Sequence, residues 1–232
     1  MKNLILQHFH PQYENVGKPM PWIVKKSTDN LKRYAKMLGA EYKLLNGQPF
    51  REGLRAQCQK LCVLNEEFDK YDNIAVFDTD MFVVNGCTEN IFNAEGIGCY
   101  PEVHRTRVMN DFKRAFPRLA NPDYPILSGS AYSMPREFRQ LMRAQINSGM
   151  ESVFQMISPR PFVDEGILHV LMQKAKFKRE TYLDERWSYS SYLPDLDKAY
   201  IIHVRYTPHK KGGPVDKRDE NCQSLMDKGI IS

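Results

Sequence analysis

Residues 73–84 constrain the fold more than any other stretch of the chain. Asn73-Ile74-Ala75-Val76-Phe77 is an apolar run that enters Asp78-Thr79-Asp80 and leaves through Met81-Phe82-Val83-Val84. A short apolar run closed by a turn signal reads as a buried strand, and aspartate is depleted from strands unless it has a task. Strand side chains alternate, so two carboxylates two residues apart point roughly the same way. Together they can share one hard divalent cation and leave positions open for the oxygens of a diphosphate. The other reading of the same residues is an acidic turn whose carboxylates accept hydrogen bonds from loop amides, with no metal.

The pattern on either side predicts an α/β fold. Asn3 to Phe9 reads as a strand. Trp22 to Leu38 carries Ile23, Leu31, Tyr34, Ala35 and Leu38 at helical spacing, with Gly39 placed to stop the helix. Glu41 to Leu45 is a short strand closed by Asn46-Gly47, and Leu54 to Phe68 reads as a second helix leading into the Asp-bearing strand. Strand, helix, strand, helix, strand is the rhythm of a mostly parallel central sheet flanked by helices. Further on, Gly96 to Tyr100, Leu127 to Met134 and Tyr200 to Val204 read as strands, and Arg136 to Asn147 and Asp164 to Ala175 as helices. Tyr206 to Glu220, rich in Lys, Gly and Pro, reads as a loop. The first strand exits into Gln7-His8-Phe9-His10-Pro11, not into a Gly-rich turn, which disfavours P-loop enzymes, Rossmann dehydrogenases and nucleotidyltransferases with a Gly-rich first loop.

At 232 residues one α/β domain accounts for the chain. A net charge of +5 suits anionic substrates and is too diffuse to argue for nucleic acid. The five cysteines, Cys58, Cys62, Cys87, Cys99 and Cys222, form no Cys-x-x-Cys pair and are odd in number, which points to reduced thiols and a cytoplasmic location. No apolar span approaches the length of a membrane helix.

The strand-borne Asp78-Thr79-Asp80, preceded by a helix bearing Lys60 and by Asp69-Lys70-Tyr71-Asp72, resembles the metal site of GT-A-fold glycosyltransferases. It is most similar to the retaining family 8 group, glycogenin-like and lipopolysaccharide-galactosyltransferase-like. The resemblance runs in order from about Leu4 to Lys211, and the Asp-x-Asp stretch is its specific part. It implies one GT-A domain over residues 1–232: a nucleotide-binding half to about residue 100, an acceptor half to about 205 and a basic tail over 206–232. In that family both aspartates and a late-strand histidine bind a divalent cation, Mn2+ or Mg2+, that bridges the donor's two phosphates. Ile201-Ile202-His203 matches the late position, so the resemblance gives Asp78, Asp80 and His203 as metal ligands. An imidazole is a suitable manganese ligand, and such a cation stabilises the charge left on departing UDP. The bland reading of His203 is a core histidine.

Other positions follow the family pattern with departures. Thr79 sits between the metal aspartates, and Lys60, with Arg55 as a neighbouring candidate, takes the place of a basic residue directed at the donor. Leu127-Ser128-Gly129 stands where the family has Asn-Ala/Ser-Gly, so Ser128 and Gly129 are expected beside the transferred sugar, with different sugar contacts because the Asn is missing. Phe162-Val163-Asp164-Glu165-Gly166 resembles an Asp-Gln-Asp segment at a helix start. Asp164 is then expected to bond donor or acceptor hydroxyls and Glu165 to lie near the anomeric carbon as nucleophile or base; either carboxylate is equally a helix cap. After His203 the family's Gly and Lys positions hold Tyr206 and His209, and Lys211, just before Gly212-Gly213, is the candidate phosphate contact. Tyr13 is a candidate for stacking on the donor base, and Trp187 and Tyr189 are either a sugar platform or core.

The resemblance thus implies transfer of a hexose from a UDP-sugar to a carbohydrate or other hydroxyl acceptor, with retention of configuration. Two alternatives stand beside it. One is a haloacid-dehalogenase-type phosphatase with Asp78 as nucleophile. The other is a non-catalytic sugar-nucleotide-binding relative.

Overall fold

The computed structural model describes residues 1–10, 20–98, 102–157, 163–177, 182–205 and 216–232. Its strands, in chain order, are β1 (Asn3–Phe9), β2 (Glu41–Asn46), β3 (Asn73–Phe77), β4 (Met81–Val83), β5 (Ala131–Pro135), β6 (Tyr189–Ser190) and β7 (Ile201–His203). Its α-helices are α1 (Trp22–Met37), α2 (Glu102–Ala115), α3 (Arg136–Asn147), α4 (Glu151–Ile157), α5 (Val163–Lys174) and α6 (Arg218–Asp227). The central sheet has the order β2-β1-β3-β5; β1 runs parallel to β2 and β3, and β5 runs antiparallel to β3.

Alternation decides how this sheet is covered. Leu4, Leu6, Ile74, Val76, Tyr132 and Met134 face one side, where residues from α2, α3, α4, α5 and the 56–64 segment pack on them. Ile5, Ala75, Phe77 and Ala131 face the other, against Leu31, Tyr34 and Ala35 of α1. Apolar burial on both faces is why β1 and β3 read as unbroken hydrophobic runs. Helix α1 ends where expected, because Gly39 takes the left-handed conformation (φ +64°) that a side chain disfavours. A second, small sheet has the order β4-β7-β6 and packs on Ile23 and Val24 of α1 and on Cys222 and Leu225 of α6.

Several boundaries depart from the sequence reading. Residues 56–64 form a 3-10 helix, followed by a 3-10 turn at Glu66–Phe68, where an α-helix was expected. Cys58 through Leu64 are all buried, so no solvent-facing stripe exists from which a period of 3.6 could be read. Gly96 to Tyr100 is not a strand among the described residues: Gly98 alone forms bridges, to Tyr132 and Tyr182. The strand expected from Leu127 begins at Ala131, because residues 129–130 turn. Residues 218–220, expected as loop, open helix α6. Cys58 and Cys62 lie in the core as expected, and Trp187 is buried beside Tyr200. Among the described residues no helix is long and apolar enough to cross a membrane.

Arg139, fully buried on α3, ties this face together. Its guanidinium donates to the carbonyls of Met134 (2.6 Å), Phe68 (3.1 Å) and Tyr71 (2.6 Å). A buried charge is tolerated only when hydrogen-bonded, and removing it takes three charge-assisted hydrogen bonds from the carbonyls of Met134, Phe68 and Tyr71, although Phe68 O keeps the Tyr71 N–H and Tyr71 O keeps Arg136 Nε. Arg139→Met is therefore expected to lower unfolding free energy by about 3 kcal/mol or more, measured from urea denaturation. A loss under about 1 kcal/mol would show that water or relaxation replaces the guanidinium.

Candidate functional site

The two sheets meet at the acidic turn. Chain leaving β3 passes through Asp78, Thr79 and Asp80 and enters β4, so this turn belongs to the seam between the sheets. Its backbone is fixed from both sides: Asp78 N–H donates to Ser130 O (2.8 Å), Gln7 Nε2 donates to Asp78 O (2.8 Å), and Val204 N–H donates to Asp80 O (2.9 Å). Antiparallel pairing of β4 with β7 sets Met81 opposite His203, which brings a residue more than a hundred positions later beside Asp80. Donor atoms of Asp78, Asp80 and His203 all lie within 4.8 Å of one another.

This trio forms part of the wall of a cleft of about 840 Å³, together with Lys60, Ser128, Gly129, Asp164, Glu165, Arg205 and Arg218. That volume falls in the usual range for a small-molecule or cofactor site. Lys60, buried on the 3-10 helix, lies 2.5 Å from Asp78 Oδ1 and 3.1 Å from Asp164 Oδ2, and donates to Gly129 O. Burial opposes its charge, but the carboxylates of Asp164 and Asp78 outweigh that and raise its pKa. Asp78 is pushed upward by burial and by the charge of Asp80, against the pull of Lys60 and His203. Burial acts on Asp80 in the same sense, yet His203 and Arg218 hold it down at about 2. Arg218 Nη1 sits 3.0 Å from Asp80 Oδ2, while His203 Nε2 is 3.2 Å from Oδ1.

These residues fit a divalent cation. The donor set is two carboxylates and an imidazole, and buried Asp80 Oδ1 makes no well-directed hydrogen bond among the described residues, although His203 Nε2 lies 3.2 Å away. A manganese or magnesium ion suits such oxygen-rich ligands with nitrogen as a third.

The remaining expected residues are placed as follows. Thr79 lines the cleft between the two aspartates. Ser128 lines it too, but its hydroxyl is engaged with Ser130 (2.7 Å), which in turn bonds Ser188 (2.9 Å). Glu165 opens α5 beside Asp164; desolvation and the Asp164 charge push its carboxyl up to about 8. Arg55 also reaches the cleft, whereas Trp187 is in the core and the Tyr189 hydroxyl donates to Pro194 O. Tyr13 and Lys211 lie outside the described residues.

Sequence reasoning missed Arg205, Arg218, Asp216 and His8. Arg218 hides in a stretch whose composition reads as loop, and only the fold shows that α6 starts at the cleft. Its fork is held by Asp216, Nε at 3.0 Å from Oδ1 and Nη2 at 2.9 Å from Oδ2. Arg205, two residues beyond the late histidine, donates from Nε to His203 Nδ1 (3.2 Å). His8 bonds Gly47 O through Nε2 (2.9 Å), and burial lowers it to about 4, so it is neutral at pH 7.

A mostly parallel sheet joined through an acidic turn to a small mixed sheet is the α/β architecture of the GT-A glycosyltransferases, and this chain has that fold. It superposes with a TM-score of 0.53 on the crystal structure of a glycosyltransferase involved in the glycosylation of the major capsid of PBCV-1, at 12% identity over 97% of this chain and 100% of that one. It also superposes, with a TM-score of 0.50, on the galactosyltransferase LgtC in complex with donor and acceptor sugar analogues, at 10% identity over 97% of this chain and 95% of that one. No protein-family model and no curated protein sequence matches the chain.

Gly129 is required by Asp164. A Cβ at position 129 would overlap Asp164 Oδ2 and displace the carboxylate from Lys60. Gly129→Ala is expected to cost about 1–3 kcal/mol in wild type and close to nothing in an Asp164→Ala background, measured by a double-mutant cycle in urea. Equal costs in both backgrounds would mean that Asp164 is not what limits this position.

Proposed function

We propose that this protein is a metal-dependent glycosyltransferase that moves a hexose from UDP-hexose to a hydroxyl acceptor with retention of configuration. The observation that carries the reading is the convergence of Asp78, Asp80 and His203 donor atoms at the cleft of a GT-A fold. The LgtC structure holds donor and acceptor sugar analogues, which supports a sugar donor and acceptor for a chain of the same fold. The phosphatase alternative is set aside, because the Asp-bearing strand is third in the chain and the fold is GT-A.

Asp78, Asp80 and His203 hold the cation, Mn2+ or Mg2+, which when bound supplies Lewis-acid stabilisation of the charge on the departing diphosphate. Lys60, Arg205 and Arg218 add positive charge around the same position, Lys60 from the buried wall and the two arginines from the partly solvent-exposed one; charge already aimed at a developing anion stabilises it without reorganisation. Lys60 also keeps Asp164 oriented, so that this carboxylate faces the cleft and can accept hydrogen bonds from sugar hydroxyls. Glu165, with its proton held to about pH 8, is the group that exchanges a proton with the acceptor hydroxyl or attacks the anomeric carbon when ionised. The donor is bound by elements from the first hundred residues, the turn at 128–130 and the arginines after β7. The acceptor enters over Asp164 and Glu165.

Two measurements test this. Incubation with UDP-hexoses, Mn2+ and a panel of sugar acceptors should release UDP stoichiometrically with product, and Asp80→Asn should lower the rate by about 100-fold or more. Metal-dependent UDP binding without turnover on any acceptor would instead make the protein a binding relative. Glu165 loses its proton through about pH 8, so a role as base or nucleophile predicts a rate that rises with pH and levels above that value. Glu165→Gln should remove this limb of the profile. A wild-type profile flat from pH 6 to about 9 would exclude Glu165 from proton transfer.

A further inference from the structure

Helix α2 borders a second hollow, apart from the acidic turn. It encloses about 820 Å³ and is lined by residues that include Thr106, Arg107, Asn110, Asp111, Lys113 and Arg114. Helical spacing sets Arg107, Asn110 and Arg114 on one stripe, while Val108, Met109, Phe112 and Phe116 are buried. Residues 102–118 hold five cationic side chains, Arg105, Arg107, Lys113, Arg114 and Arg118, against the two carboxylates of Glu102 and Asp111. That excess of three is more than half of the chain's net charge of +5, so the charge is gathered at one place. Asp111 pairs with Arg114, and Arg105 lies over the Tyr182 ring, 4.0 Å from its centroid. Arg107, Lys113 and Arg118 are exposed and form no ion pair among the described residues. Lys113 and Arg114 in the last turn favour the helix dipole, but Arg105 and Arg107 in the first half gain nothing from it.

The packing of α2 gives this face a use. Phe112 is wedged against α5: a Cβ at Gly166 would come within 2.7 Å of Phe112 Cε2, and the Phe112 and His169 ring centroids are 5.2 Å apart. Gly166 follows Glu165, which lines the cleft. The basic face is thus separated from the start of α5 by the width of α2 alone, roughly 10 Å. Arg107 and Arg114 are two turns apart, about 10 Å along the axis, so an anion repeated along a chain can meet both where one small ion cannot. Guanidinium forks pair with carboxylates, and Asp111 between the two arginines repels a singly charged carboxylate less than a doubly charged phosphate. Thr106 and Asn110 offer neutral donors and acceptors for hydroxyls in between.

Resting on the glycosyl-transfer reading above, we infer that the exposed face of α2 docks the acceptor, and that the acceptor is an acidic glycan, a saccharide chain bearing carboxylates, whose terminal hydroxyl reaches Asp164 and Glu165. Arg107, Lys113 and Arg114 hold sugar carboxylates, and Thr106 and Asn110 hold hydroxyls. None of them takes part in bond making, and none lines the cleft that holds the donor, so the two bindings are separable.

The experiment is calorimetric titration of the full chain with four probes: an oligogalacturonide, the same oligomer after carboxyl reduction to the neutral sugar, a phosphorylated oligosaccharide of equal length, and phosphatidylglycerol vesicles. The expected result is binding of the oligogalacturonide that fades as salt is raised from about 0.1 to about 1 M and the screening length contracts, with no binding of the reduced oligomer. Joint replacement Arg107→Gln, Lys113→Gln and Arg114→Gln should weaken it about fivefold or more, as three exposed charge pairs are lost, while joint Arg107→Lys and Arg114→Lys retains most of it. UDP binding with Mn2+ should be the same in every variant. In transfer assays the triple variant should raise KM for the acidic acceptor and leave kcat unchanged. Arg107→Gln alone is the second variant, and the wild-type contrast between charged and reduced oligomers needs no variant at all. No binding of the oligogalacturonide, equal binding of the reduced oligomer, tighter binding of the phosphorylated one, or binding to vesicles in its place would overturn the inference. If UDP binding with Mn2+ and turnover on a neutral acceptor persist in such a case, the transferase stands and only the acidic acceptor falls. Oligogalacturonide binding without turnover of any UDP-hexose would remove both the acceptor assignment and the function proposed above.

Discussion

A single buried ammonium holds the cleft in shape. Lys60 reaches Asp78 after β3, Asp164 at the start of α5 and the Gly129 carbonyl in the turn before β5, tying the end of a helix to a turn that the β3–β5 ladder already holds beside Asp78. A charge taken out of water has to find anions, and breaking one member of such a set is worth about 3–5 kcal/mol because the others are left uncompensated. The constraint runs both ways. The carboxylates keep the lysine charged, and the lysine keeps two carboxylates aimed into a space that would otherwise be too acidic to remain closed. Gly129 belongs to the same set, since no side chain fits between its backbone and Asp164.

The second organising contact is the antiparallel ladder between β4 and β7. It is only three residues long on each side, yet it fixes the position of His203 relative to Asp80 through Met81↔His203. Ser27 and Gln7 support it from beneath: Gln7 donates to Ser27 Oγ (2.9 Å), and Ser27 donates to Met81 O (2.7 Å). Asn30 of α1 closes the other end by bonding the backbone of Val83 in both directions. A polar network that is this fully satisfied makes a short ladder specific in register. Register matters here because a slip by one residue would turn the histidine to the opposite face.

How much of this was legible in the sequence depends on whether the signal is local. Strand β1 and helix α3 have the ends expected, because unbroken apolar runs and a clean amphipathic stripe leave little choice. The Asp78, Asp80 and His203 trio was named from the resemblance, and the structure brings the three together. The 56–64 segment was misread in type because its residues from Cys58 to Leu64 are all buried, and in such a segment Cys58, Leu61 and Leu64 fit a three-residue period as well as a longer one. Helix α6 was not expected at all. It buries only Cys222 and Leu225, too little to stand out from a polar tail. Arg218 was invisible for a related reason: an arginine in a basic stretch carries no mark of the carboxylate it will meet across the fold. Which cations neutralise a site is a property of tertiary structure, and pattern reading sees only one partner of each pair.

The two walls of the cleft are built from unlike material. On one side Lys60 rides on a 3-10 segment whose residues from Cys58 to Leu64 are all buried, with thiols at Cys58 and Cys62 driven upward in pKa by desolvation. On the other side Arg205 and Arg218 are partly open to solvent, and Arg218 is paired with the exposed Asp216 as well as with Asp80. A rotamer change on the first side requires repacking a core, whereas on the second the Arg218–Asp216 contact is exposed and of small net worth, and the Arg218–Asp80 contact is the one that reaches a buried carboxylate. The cleft is therefore mechanically lopsided, an anvil facing a spring. Any difference in shape between one cargo and another is absorbed by the arginine side, and substitutions that widen what the pocket accepts should accumulate there before they appear around Lys60.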